Sequence, residues 1–257
     1  MCRVRPLPPL FFNGDNICGG INSSYFPDGQ TIFTWSSGTS HAAPAVAGLA
    51  SLYYHRLENS FHLVDPSPAL IKAYLVAHPL YLTGYRANDA LPSNSQGYGL
   101  PDMSLGLDET PRVLLDQAVI LRGSGEQWPQ TVSVADPTKP VRIVLAYTDQ
   151  PGAVGSASQV NDLDLRLEAE GETYLGNHMA QQWSVPGGLP DRANNVEAVF
   201  LRAGTAGMMT ITVTGFNIAG DGVPGNGDAT DQDFALVCYN CVTRMSARLY
   251  LPVIFSE

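Results

Sequence analysis

Between residues 112 and 240 the chain alternates apolar and polar side chains with a period of two, a pattern that suits a half-buried β-strand and no helix. Leu163, Leu165 and Leu167 alternate with Asp164, Arg166 and Glu168, and Ile211 and Val213 alternate with Thr210, Thr212 and Thr214. Val141, Ile143, Leu145 and Tyr147 share one face of another strand, and further apolar runs surround Val132, residues 196–201 and residues 234–238. Turn-forming clusters separate them, so the region reads as an all-β sandwich or jelly roll of about seven or eight strands. A domain boundary is expected at Leu107-Asp108-Glu109-Thr110-Pro111-Arg112.

Ahead of that boundary the period is helical. Residues 40 to 58 carry Ala43, Val46, Ala47, Leu49, Ala50, Leu52 and Tyr53 nearly all round the first half of a helix, and a helix without a polar face is expected to be buried. Ser67-Pro68 supplies an N-cap and a first-turn proline for a second helix over 69–77, with Leu70, Ile71, Tyr74 and Leu75 at helical spacing.

Charge narrows the partners. With 24 Asp plus Glu against 14 Lys plus Arg, the chain has no electrostatic footprint for nucleic acid or for an anionic membrane surface. Only Lys72 and Lys139 are lysines, and with abundant Gly, Pro, Asn and Thr this composition leans toward a secreted, extracellular protein. Three prolines interrupt the apolar patch near the N-terminus, which does not read as a signal peptide, and no apolar run reaches membrane-span length. Of the cysteines Cys2, Cys18, Cys238 and Cys241, the last two have C-x-x-C spacing without a second pair, so zinc is not expected. A local disulfide, an inter-segment disulfide and two quiet thiols all remain open.

The residues that speak to chemistry are Gly38-Thr39-Ser40-His41-Ala42-Ala43-Pro44. They set a serine at the start of an alanine-rich helix, where unpaired N–H groups and the positive dipole end favour a developing oxyanion. Pro44 is expected within the first turn, where a missing N–H is tolerated. A serine at such a place also serves as an ordinary N-cap. The run, continued by Ala45-Val46-Ala47-Gly48, resembles the serine signature of the subtilisin-like serine proteases, with His41 where the family commonly has Met. Gln96-Gly97-Tyr98-Gly99-Leu100-Pro101-Asp102 is similar to the segment that closes the family's catalytic domain. Val160-Asn161-Asp162-Leu163-Asp164-Leu165, Tyr174-Leu175-Gly176-Asn177, Asn194-Asn195-Val196-Glu197 and Asp233-Phe234-Ala235-Leu236-Val237 resemble the C-terminal β-barrel of its KP-43-like branch.

The resemblance implies an α/β fold, the C-terminal part of a doubly wound catalytic domain over 1–109, followed by a jelly-roll sandwich over 110–242 and a tail over 243–257. Ser40 would be the nucleophile and one backbone oxyanion donor, with Gly38, Thr39 and His41 lining the substrate cleft. The implied activity is endoproteolysis of protein or peptide substrates through an acyl-enzyme. In this family the triad runs Asp, His, Ser, so both partners and the oxyanion Asn are expected upstream of Ser40, where only 39 residues stand and none is histidine. Loss of that histidine costs on the order of 10⁶ in kcat, a value measured on subtilisin itself, so this chain alone is expected to be nearly inactive and to need a missing N-terminal catalytic segment. An α/β-hydrolase with His178 as base is excluded, because Ala42 stands where the Gly-x-Ser-x-Gly elbow needs glycine. The remaining histidines read as packing or surface residues.

No cofactor is required for such chemistry, but the resembling β-domains commonly bind calcium. Asp162, Asp164 and Asp191 are the expected side-chain ligands, against a reading as turn residues that satisfy their own backbone. Residues 221–233 read as a solvated hairpin loop. The alternative function is a non-catalytic sandwich module that binds calcium or a partner.

Overall fold

The computed structural model describes residues 2–3, 33–34, 38–84, 87–155 and 159–243. Cys18 and the tail from 244 lie outside the described residues. By contacts the chain divides into two units, Met1–Leu49 and Ala50–Glu257. In the first, β1 (Cys2–Arg3) pairs antiparallel with β2 (Phe33–Thr34), and α1 (Thr39–Phe61) begins.

The second unit continues with α2 (Pro68–Ala77), β3 (Pro79–Leu80), β4 (Leu100–Pro101) and α3 (Met103–Gly106). The sandwich strands follow: β5 (Arg112–Leu121), β6 (Gln127–Val134), β7 (Val141–Ala146), β8 (Asp162–Ala169) and β9 (Glu172–Leu175). After the short β10 (Met179–Ala180) and β11 (Trp183–Ser184) come β12 (Val196–Leu201), β13 (Met208–Asn217), β14 (Gln232–Tyr239) and β15 (Cys241–Thr243). One sheet has the order β12-β7-β14-β5 and the other β15-β6-β13-β8-β9. All pairings between named strands are antiparallel, so the described residues show the all-β part of the expected fold and no parallel sheet.

The two sheets share one core. Val132, Leu163, Leu165, Leu167, Ile211 and Val213 from one meet Ile143, Leu145, Phe234 and Leu236 from the other, all essentially inaccessible to water. Each such side chain contributes roughly 1.5–3 kcal/mol by leaving water. Trp128 meets Phe234 edge to face, with ring centroids 5.5 Å apart. The expected alternation of β8 and β13 is present because the second face of their sheet is solvated, whereas β7, β12 and β14 are buried at every residue. A strand buried on both sides reads as a continuous apolar run.

The cover over β5, β7 and β14 is α2. Ser67 Oγ accepts the Leu70 N–H at 3.0 Å, Pro68 opens the helix, and Ala69, Leu70, Ala73, Tyr74 and Ala77 face the sheet. Residues 50–109 therefore pack on the sandwich within one unit: Tyr98 donates to Asn177 Oδ1 at 3.0 Å and to Val196 O at 2.9 Å. Cys238 and Cys241 form the local disulfide, joining β14 of one sheet to β15 of the other through a turn at Asn240.

The N-terminal helix departs from expectation in two ways. Residues 41–48 are exposed, and burial starts at Leu49, Tyr53 and Leu57, the stripe that helical spacing brings to one face. Pro44 stands more than a turn inside the helix and not within its first turn, so Ser40 O lacks the N–H that a helix returns from four residues on.

Candidate functional site

Gly38 precedes the helix and receives its first turn, with His41 N–H and Ala42 N–H donating to Gly38 O at 3.0 and 3.2 Å. Ser40 is the second helical residue, so the capping place belongs to Gly38. The Ser40 N–H is thus one of the first-turn donors that have no acceptor within the helix. Gly38, Thr39, Ser40 and His41 are all exposed. A Cβ on Gly38 would stand 3.7 Å from Ser40 Oγ and 3.6 Å from His41 Cδ2, in ordinary contact with both. The structure brings these four expected residues together at one helix end. Within the second unit, His78 is buried beneath α2, and His55, His62 and His178 belong to the same unit.

The expected calcium residues form a second group around the start of β8. Asp162 and Asp164 both pair with Arg192, the Asp162 contact being 3.3 Å, and the guanidinium stacks 3.6 Å over the Phe216 ring. Asp191 accepts from Asn177 Nδ2 at 2.6 Å, Asn194 Nδ2 at 2.7 Å and Ala193 N–H at 2.9 Å. Burial pushes the Asp162 carboxyl up, against the opposing pull of Arg192. As arranged, Arg192 stands between two of these carboxylates and three N–H donors engage the third, so a calcium ion held by Asp162 and Asp164 would have to displace the guanidinium. Among the described residues no group of three or more His, Cys, Asp or Glu is set to hold a metal.

The residue that sequence reasoning missed is Glu197. It is 1% exposed, Oε2 accepts the Leu165 N–H at 2.6 Å, and Oε1 has no hydrogen-bond partner. Burial, reinforced by Asp164, Asp191 and Asp162, raises its carboxyl to about 9 despite the Leu165 N–H. A Cβ on Gly176 would overlap the Glu197 side chain, so glycine is required there. The available signal was a lone charge inside the apolar run Val196-Glu197-Ala198-Val199-Phe200-Leu201.

Residues 221–233 are tied down by Asp231, which is inaccessible and accepts from Val223 N–H at 2.9 Å and from Asn226 Nδ2. The tip stays exposed around Gly225, consistent with a hairpin loop. No helix among the described residues is long and apolar enough to cross a membrane. No family model matches the chain, and no curated protein matches it.

Proposed function

We propose that Ser40 is the nucleophile of a subtilisin-like serine endopeptidase, secreted, and that residues 1–109 are the C-terminal portion of its catalytic domain. The observation that carries this reading is the seven-residue run Gly38–Pro44 set at the start of a 23-residue helix, with Ser40 exposed one step inside it and glycine in front. Ser40 Oγ, giving its proton to the base, attacks the scissile carbonyl while the Ser40 N–H donates to the resulting oxyanion; the C–N bond breaks, the amine leaves with that proton, and water hydrolyses the acyl-enzyme to free Ser40 and the acid. The base, its carboxylate and the second oxyanion donor come from polypeptide upstream. That polypeptide also supplies the cover for residues 41–48, whose side chains are largely apolar. The strand orders β12-β7-β14-β5 and β6-β13-β8-β9 support a jelly roll over 110–242, since they are the two sheets of a doubled Greek key with β15 added at one edge.

A second reading, a sandwich module without catalysis, is favoured by the self-contained core that the two sheets share. Hydrolysis of a denatured protein substrate separates the two. The chain expressed together with the coding sequence upstream of it cleaves the substrate, and Ser40→Ala abolishes cleavage. Equal turnover by Ser40→Ala, or none by the folded extended protein, refutes the protease reading.

A further inference from the structure

The sheet face that α2 covers holds a titratable group remote in kind from a nucleophile. His78 is at its centre, wholly inaccessible to water. Its Nδ1 lies 2.6 Å from Tyr74 O, an acceptor only, so Nδ1 carries the proton and Nε2 is left to accept the Arg112 Nε–H at 3.3 Å. The rings of Tyr74, Tyr239 and Tyr53 surround it with centroids 4.4, 5.3 and 6.1 Å away.

Arg112 fastens the neighbouring loop as well, donating to Leu105 O at 2.7 Å, Thr110 O at 2.6 Å and Asp108 Oδ1 at 2.6 Å. Tyr239 completes Asp108 by donating to Oδ2 at 2.8 Å. Arg142, only 7% exposed, reaches toward Ala77 O at 3.5 Å. The groups facing the imidazole are therefore Tyr53 from α1, Tyr74 from α2, Arg112 from β5, Arg142 from β7, Tyr239 from β14 and Asp108 from the loop before β5. Asp102, at the start of α3, donates its N–H to His78 O at 2.8 Å and acts on Arg142, and Lys139 stands 3.7 Å from Asp108, so both nearby carboxylates are already engaged by cations other than the imidazole. A proton on Nε2 would turn a donor against a donor and put a third positive charge into a site closed to water.

We propose that His78 is an acid-operated latch: a solvent proton taken up at Nε2 releases α2 and α3 from the sheet, while the sandwich beneath stays folded. The Arg112 Nε–H, having lost its acceptor, turns to water in the released state. Burial, with Arg112 second, lowers the docked imidazole to about 3, against an ordinary value of 6.5. A base depressed on docking keeps the docked state fully favoured above pH 6.5 and loses that advantage as pH falls toward 3. By pH 4 the docking equilibrium has fallen about 300-fold.

Hydrogen exchange read by mass spectrometry on the whole chain tests this. Between pH 7 and pH 4, after correction for intrinsic rates, amides of residues 68–77 and 103–106 should lose protection while those of β8 and β13 keep it. His78→Asn, which retains a neutral donor to Tyr74 O, should flatten the pH response of α2. Unchanged protection of α2 at pH 4, or a pH response as large in His78→Asn as in the parent, would overturn the latch. If the variant does not fold, NMR titration of His78 in the unaltered chain decides: a ring that stays neutral until α2 opens supports it, and titration near pH 6.5 with α2 docked refutes it.

Discussion

Replacing Glu197 by Gln should make the protein more stable at neutral pH, because it removes a carboxylate that is charged only in the unfolded chain. The side chain is sealed between β12 and β8, with one oxygen satisfied by the Leu165 N–H and the other by nothing. Its carboxyl is held at about 9 in the folded state, against 4.5 when free. An acid raised on folding contributes fully below its unfolded value and loses that contribution as pH rises toward the folded one. At pH 7 the lost stability is about 3 kcal/mol, from 1.36 kcal/mol for each pH unit above 4.5. Glutamine keeps an oxygen for the Leu165 N–H and nearly the same volume and is neutral without binding a proton, although its amide brings one more donor than the protonated acid to the place where Oε1 has no partner. Urea unfolding of both proteins at pH 5, 7 and 8.5 should show near-equal stability at pH 5 and a gap that widens in favour of Glu197→Gln by about 3 kcal/mol at pH 7. A variant less stable than the parent at pH 7, or a gap that does not change with pH, would refute the reasoning.

Other expectations are simpler. Phe234→Ala removes an inaccessible ring packed against Trp128 and should cost about 4 kcal/mol in denaturant unfolding. Ser67→Ala loses the cap on α2 together with the hydroxyl's hydrogen bond to Asp116, while the backbone N–H keeps its own, and should lower stability by about 1–2 kcal/mol, with the first turn of α2 exchanging faster. Melting in millimolar calcium and in EGTA should give the same midpoint, because Arg192 already occupies the space between Asp162 and Asp164; a rise of several degrees with calcium would show that the guanidinium yields its place.

The sandwich was legible where one sheet face meets water. Leu163, Leu165 and Leu167 announced β8 because Asp164, Arg166 and Glu168 had to point outward. β14 was visible only as an apolar run near Phe234, since α2 covers its second face and erases the alternation, while the three residues of β15 are too short to show a period. Ser67-Pro68 gave the start of α2 because cap and proline act locally. The expected burial of residues 41–48 is absent because burial depends on what packs against a helix, which its own periodicity does not specify. For the same reason His78 and Glu197 drew no special reading: their chemistry comes from neighbours 34 and 32 positions away, Arg112 and Leu165. Asp162, Asp164 and Asp191 suggested calcium through their clustering and the family resemblance, neither of which shows that Arg192, next to Asp191, reaches Asp162 and Asp164.

Everything proposed for activity rests on Ser40, and active-site labelling tests it most directly. A fluorophosphonate probe, applied to the chain expressed with its upstream coding sequence and followed by peptide mapping, should modify Ser40 alone. The label should vanish in Ser40→Ala and after heat denaturation, and the 257-residue chain by itself should label very slowly. A folded, extended protein that leaves Ser40 unmodified while a control serine protease reacts to completion would contradict the account.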